Sequence, residues 1–348
     1  MTDRLSMRSR AVAAFALSTL ALGVLAGCGN GEEQQDVSAG GPTTLKVGYI
    51  SGASLAPAFV ADALGCFQKE GLTVEYTPIK NPADAIAFLS TGKLDAYVGS
   101  PSAGMFNQVA KGAELKMVAS LGSVNTPEGE AAPSGLFGAK SVKTAQDLKG
   151  KRVGVLGTVG TATSYLLGKS LEAGGLTFDD VELVSLALPD MVPALKNGGI
   201  EGALLIAPET QKALEQDVAH ALVDSKKAYG TSTTSGIMYG PGLLKDDRAA
   251  GVKFIKATAC ATQQMLGDWR KDAKVVSALA TFMKVPDETI SKGGLYVFDP
   301  TLKVNTSTLT EMQEMFMKVK GTLTYDEVIS ADKLVDDGIR AEAVGQPS

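Results

Sequence analysis

The sequence predicts an α/β fold in which each half is a mostly parallel sheet flanked by helices. Two observations carry this. Apolar, strand-like runs alternate with helix-periodic stretches, joined by glycine turns. The alternation breaks at an irregular stretch, "SVNTPEGEAAPSG", and then restarts, so two βαβ-type halves are visible. Parallel strands and right-handed crossovers are expected in each. With 348 residues, 45% apolar and 20% charged, the composition is that of an ordinary globular chain with room for two lobes.

The N-terminus is not part of that pattern. Arg4, Arg8 and Arg10 form a basic region, and Ala11 to Leu25 an apolar one too short to span a bilayer comfortably. Leu25-Ala26-Gly27-Cys28 then resembles a bacterial lipobox, with Cys28 the lipidated residue. An ordinary secretory signal with a chance cysteine is the rival reading. "GNGEEQQDVSAGGPTT" behind it reads as a flexible tether. No later stretch is long and apolar enough to span a bilayer. Residues 1–27 hold three Arg and one Asp, so removing their +2 from a net −5 leaves −7. An acidic surface without a basic run argues against nucleic acid as a partner.

The first half reads as follows. "LKVGYI", to residue 50, is a buried strand, and 56–71 one helix with Phe59, Ala63, Leu64 and Phe67 on a shared face. "LTVEYTPI" is a strand and "PADAIAFLSTGK" a helix with Pro82 in its first turn. "LDAYVGS", "SAGMFNQVAKG" and "ELKMVASLG" follow as strand, helix and strand. In the second half "LFGAK" is a short strand, "TAQDLKG" a short helix and "KRVGVLG" a strand. "TATSYLLGKSLEAGG" is a helix, "DVELVSL" a strand, "PDMVPALKNGG" a helix and "IEGALLIAP" a strand. "AHALVDS" is a short extended piece and "TSGIMYGPGLL" a last strand and turn. From about Lys245 the chain is mostly helical. Leu309, Met312, Met315, Phe316 and Val319 form a stripe that belongs to the core. Cys66 and Cys260 fall in helix-like stretches; two separate buried thiols are the default and pairing is the alternative.

In open α/β sheets small molecules bind beyond the carboxyl ends of the strands, where helix N-termini offer unpaired N–H groups. The candidates there are Ser51 and Gly52 after the first strand, Asn81 after the second, Ser100, Pro101 and Ser102 after the third, and Ser123 after the fourth. The second half adds Thr158, Gly160, Thr161, Ala162 and Thr163, then Asp190 and Glu209. Hydroxyls, glycines and a few acids bind well and catalyse poorly; helix capping is the rival use of each Ser and Thr.

Catalytic and cofactor motifs are missing. "VGVLGTVGTATSYLL" places Gly154, Gly157 and Gly160 three apart, which is not G-x-G-x-x-G, and no Gly-Lys pair makes a Walker loop. "GSPSAG" is not G-x-S-x-G. His220, the sole histidine, has no nucleophile beside it in sequence, and no metal-ligand spacing is present. No cofactor, no metal and no enzymatic activity are expected.

The mature chain resembles the solute-binding proteins of ABC importers, in the branch that takes nitrate, taurine, aliphatic sulfonates and thiamine-pyrimidine precursors. "LKVGYI", "APAFVADALGCFQKEGLTVEYTPI", "TGKLDAYVGSPSAGMFNQVAKGAELKMVAS" and "DLKGKRVGV…LEAGGLTFDDVELV" carry the resemblance, as does "MVPALKNGGIEGALLIAPE". It implies a two-lobed, type II periplasmic-binding-protein fold, with 1–27 a lipoprotein signal peptide and 28–43 a tether. Lobe 1 is then 44–130 with 228–348, and lobe 2 is 131–227. The implied protein is a monomeric receptor, held by its lipid outside the cytoplasmic membrane. It captures a small organic solute between the lobes and delivers it to ABC permease subunits. The same branch includes a pyrimidine synthase, which needs a histidine donor and a cysteine-rich iron site, and a sensory binding protein is a third reading. Two departures stand out: "SGASLAP" and the other strand ends carry no arginine or large aromatic, and Glu209 follows Pro208 where the branch has an acid before it. A neutral, zwitterionic, carboxylate or sulfonate solute fits better than a small inorganic anion.

Overall fold

The computed structural model describes residues 41–80, 82–124, 127–128, 132–230 and 232–345. The leader, Cys28, most of the tether and Asn81 lie outside the described residues. In chain order the first run is β1 (Thr43–Tyr49), α1 (Ala56–Val60), α2 (Cys66–Lys69), β2 (Leu72–Pro78), α3 (Pro82–Ser90), β3 (Ala96–Gly99), α4 (Ala103–Ala110) and β4 (Lys116–Ser120). Next come β5 (Ser134–Ala139), β6 (Arg152–Val155), α5 (Ala162–Ala173), β7 (Glu182–Ser185), α6 (Leu188–Asn197), β8 (Gly202–Ile206), α7 (Glu209–Glu215), β9 (Ala219–Ala221) and α8 (Ser225–Tyr229). The chain then returns through β10 (Gly236–Tyr239) and ends in α9 (Arg248–Gln264), α10 (Ala273–Met283), α11 (Asp287–Ser291), α12 (Thr306–Met317), α13 (Ala331–Leu334) and α14 (Asp337–Val344). None of the described helices is long and apolar enough to cross a membrane.

Two five-stranded sheets result, with orders β2-β1-β3-β10-β4 and β7-β6-β8-β5-β9. They follow one plan. Three strands pair parallel in the order second, first, third; an antiparallel strand follows, and a fifth pairs antiparallel with it. Four strands of five therefore run the same way in each sheet. The inserted strand is in both cases the first one formed after the chain crosses between sheets. Sequence pattern could not show that β10 slips between β3 and β4, because this pairing joins residues more than a hundred positions apart.

The helix expected over 56–71 is broken. Gly65 takes a left-handed conformation (φ 72°), and the Cys66 amide bonds back to Ala61 rather than Asp62. Phe59, Leu64 and Phe67 stay buried across the break, whereas Ala63 turns out to solvent. The break also aims Cys66 at α9. Cys66 and Cys260 form a disulfide across a Cα–Cα distance of 5.9 Å, which corrects the expectation of two separate thiols. Neither spacing nor helix periodicity reports that α2 and α9 are neighbours.

The core also departs from two independent lobes. One buried cluster includes Val47, Tyr97 and Ile237 of the first sheet and Leu136, Val153 and Leu204 of the second. The join runs through α12, whose stripe of Leu309, Met312, Met315 and Phe316 is buried as expected. Phe316 meets Phe106 of α4, and the Met315 side chain fills the space where Gly168 of α5 has no Cβ. Glu311 accepts from Tyr165 (2.9 Å) and pairs with Lys169 (3.0 Å), both on α5. A second cluster, around Met191, Val192, Leu195 and Ala213, covers the other face of the second sheet with α6 and α7.

Candidate functional site

The carboxyl edges of the two sheets face each other. On one side are the loops after β1, β3 and β4; on the other are those after β6 and β8. They touch at a hydrogen bond in which the Ala103 amide at the start of α4 donates to the Gly160 carbonyl (2.8 Å). Gly160 is held there twice over. Its φ of 104° suits only glycine, and a methyl group on it would sit 2.8 Å from the Ala103 side chain and 3.0 Å from that of Thr322. Elsewhere between the edges is a narrow cavity of about 30 Å³, lined by Ala53 from the first edge, Ala207 and Pro208 from the second, and Trp269, Gly293 and Gly294 from the C-terminal region. The Ala207–Pro208 peptide is cis.

The residues expected at this edge divide by what their polar groups already do. Ser51 is exposed, Ser100 half-buried and Thr158 exposed, and their hydroxyls have no partner among the described residues. Gly52 lies in extended backbone before a short 3₁₀ turn (Ala53–Leu55), and the Gly52 carbonyl accepts from Leu55. Pro101 is buried.

Other hydroxyls are occupied. Ser102 caps α4 by accepting from the Met105 amide (3.4 Å). Thr161 caps α5 in a reciprocal pair with Ser164: the Ser164 amide donates to Thr161 Oγ1 (3.2 Å), and the Gly160 and Thr161 amides donate to Ser164 Oγ (3.1 Å each). Thr163 donates to the Leu156 carbonyl (2.8 Å). What α5 leaves open are the amides of Ala162 and Thr163, which no carbonyl within a regular helix can reach.

Three candidates sit elsewhere or face inward. Ser123 pairs its amide with the Val297 carbonyl (2.9 Å) and lines a separate groove of about 490 Å³ beside β4, with Ser120, Thr233 and Lys303. Asp190 is exposed on α6, which follows the outermost strand β7. Glu209 is 3% exposed, and its carboxylate bonds Lys212 one turn along α7 (2.6 Å).

One residue at the edge escaped the sequence reading. Tyr97 is fully buried on β3, and its side chain runs up the strand over Gly99, where any Cβ would coincide with the ring and its hydroxyl. The signal was a bulky Tyr two positions before Gly, hence on the same face of the strand. Burial raises the Tyr97 pKa far above that of a free phenol, so it stays neutral.

Among the described residues, the groups left open at these edges are neutral donors and acceptors. His220 lies on β9 at the outer edge of the second sheet, opposite Gly138. Among the described residues no group of three or more His, Cys, Asp or Glu is placed to hold a metal ion.

The family model described as "NMT1/THI5 like" matches residues 53–269. The chain belongs to that family. Its relatives include the taurine-binding periplasmic protein of Escherichia coli, 28% identical over 70% of this chain and 76% of that protein. A 4-amino-5-hydroxymethyl-2-methylpyrimidine phosphate synthase of Schizosaccharomyces pombe is 29% identical over 46% of this chain, an alignment that covers 43% of the synthase. Among solved structures, the periplasmic nitrate-binding protein of Synechocystis superposes with a TM-score of 0.65 at 18% identity, covering 88% of this chain and 90% of that one. The alkanesulfonate-binding protein of Xanthomonas axonopodis gives 0.64 at 15% identity, covering 85% and 99%. The family member described here therefore has the type II periplasmic-binding-protein fold.

Proposed function

We propose that this protein is the extracytoplasmic solute receptor of an ABC importer. It captures a small organic solute, a sulfonate, carboxylate or thiamine-precursor-like molecule, between the two sheet edges and hands it to the permease. The observation that carries the reading is the Ala103–Gly160 bond: it joins two strand ends of opposite sheets directly beside hydroxyls and helix amides that have no protein partner. Closure around a ligand would bury those groups and favour one arrangement of the lobes. Residues 44–130 with 228–348 form lobe 1 in this proposal, residues 131–227 lobe 2. Cys28 carries the lipid that holds a monomer to the outer face of the cytoplasmic membrane.

A synthase is the less favoured reading. Its histidine donor has no counterpart at the cleft, since His220 is on an outer strand, and Cys66 and Cys260 are bonded to each other. The test is a thermal-shift screen of the mature protein against taurine, alkanesulfonates, short carboxylates and aminopyrimidines. A receptor gives a saturable rise in Tm with at least one class and no product by mass spectrometry. Turnover of a bound compound would replace receptor with enzyme. Cys28→Ala, followed by release of the protein from membranes, tests the anchor.

A further inference from the structure

We infer that Tyr97 is the buried hydrogen-bond donor at the floor of the cleft, and that the part of the solute reaching deepest is an acceptor oxygen. The inference rests on the cleft reading above.

The argument starts from an unsatisfied atom. Among the described residues the Tyr97 hydroxyl has no hydrogen-bond partner, although the residue is fully buried. Leaving such a group unpaired costs stability, since its desolvation is not repaid by a bond. A phenylalanine would fill the same space without that cost, so packing alone does not explain a tyrosine. The hydroxyl also has a direction. The ring climbs β3 toward its carboxyl end, and the absence of a side chain at Gly99 makes room for it. It ends beside the main chain of Ser100, whose amide opposes the burial effect on the phenol from outside good hydrogen-bond geometry. A neighbouring N–H offers nothing to the phenol proton, which still lacks an acceptor. Ser100 and Ser102 frame this point, and Ser102 already caps α4. A neutral phenol in this position can give its proton to an acid or carbonyl oxygen of the solute, a bond that an ammonium group cannot accept.

The test compares wild type with Tyr97→Phe on the full mature chain, in two measurements. Without ligand, the variant should melt at the same temperature or a few degrees higher, because an unpaired hydroxyl is removed. A clear fall in Tm would show a structural partner for the hydroxyl and overturn the inference. With ligand, titrations use taurine and β-alanine, which carry acid groups, and ethylenediamine, which does not. Tyr97→Phe should weaken the acid-bearing ligand by about tenfold, the factor for a hydrogen bond of roughly 1.4 kcal/mol. Unchanged affinity in Tyr97→Phe, with binding lost in Gly160→Leu, would overturn the role of Tyr97 and leave the cleft in place. Unchanged affinity in both variants would overturn the cleft reading as well. Tighter binding of ethylenediamine than of either acid would also contradict the inference.

Discussion

The two sheets share a strand plan and differ at their carboxyl edges. The first edge has unused polar groups: among the described residues the hydroxyls of Ser51, Ser100 and the buried Tyr97 have no partner. The second edge is largely self-satisfied. Thr161, Ser164, Thr163, Leu156 and Gly160 bond among themselves, leaving Thr158, two α5 amides and a glycine that touches the other edge. The difference suggests a division of labour. In the receptor we propose, lobe 1 would recognise the solute, and lobe 2 would supply a rigid lip that closes against it.

The largest expected effect comes from breaking the lip. Gly160→Leu forces a branched side chain into a left-handed conformation and against Ala103, at roughly 1–2 kcal/mol for the backbone and about as much again for the clash. Affinity for the best ligand should fall roughly 100-fold by calorimetry, with little loss of helix signal by circular dichroism. An unchanged affinity would mean that the two edges do not close on the ligand.

The disulfide comes next, because it should separate stability from recognition. Cys66 and Cys260 are 194 residues apart, and in the chain-entropy account a loop of that length is worth roughly 5 kcal/mol. Cys66→Ala with Cys260→Ala should lower Tm by about 10 °C and leave affinity within about twofold. A large affinity loss at a temperature where the variant is folded would tie recognition to α2 and α9 instead.

A paired substitution then tests the contrast itself. Thr161→Ala removes a cap and should cost about 1 kcal/mol of stability, with a small change in affinity. Ser100→Ala should do the reverse: stability unchanged and affinity down about fivefold. The opposite pattern would move recognition to lobe 2.

The smallest effect is that of pH. Hydrogen bonds from Arg270 and Arg340 hold the Asp268 and Asp337 carboxyls below the usual aspartate pKa. A depressed folded-state pKa means that the stabilisation is complete above the unfolded value, about 4, and lost as pH falls through the lower folded value. Tm should therefore drop below about pH 4. A rise in Tm on acidification from pH 5 to 3 would contradict these assignments.

The sequence made the alternation, the two halves and the edge loops legible, because apolar period and glycine turns are local. Long-range pairings were not legible: the insertion of β10 and β5 into their sheets, the meeting of α2 with α9, and the α5–α12 seam that joins the cores. Residue type alone put Ser51, Ser100 and Thr158 among the candidates, and in the structure they follow strand ends with hydroxyls that have no partner among the described residues. It could not separate them from Ser102, Thr161 and Thr163, since capping and ligand binding draw on the same hydroxyls and only geometry shows which are taken. Tyr97 was missed because a tyrosine inside an apolar strand reads as core, and its value lies in a hydroxyl whose lack of a partner is visible only in three dimensions.

The most direct test is a crystal structure of the mature chain with the solute that gives the largest thermal shift. The account predicts density between the loops at Ser51, Ser100 and Gly160, with an acceptor oxygen within hydrogen-bonding distance of the Tyr97 hydroxyl. Density in the groove beside β4, among Ser120, Thr233 and Lys303, with the edges empty, would contradict it.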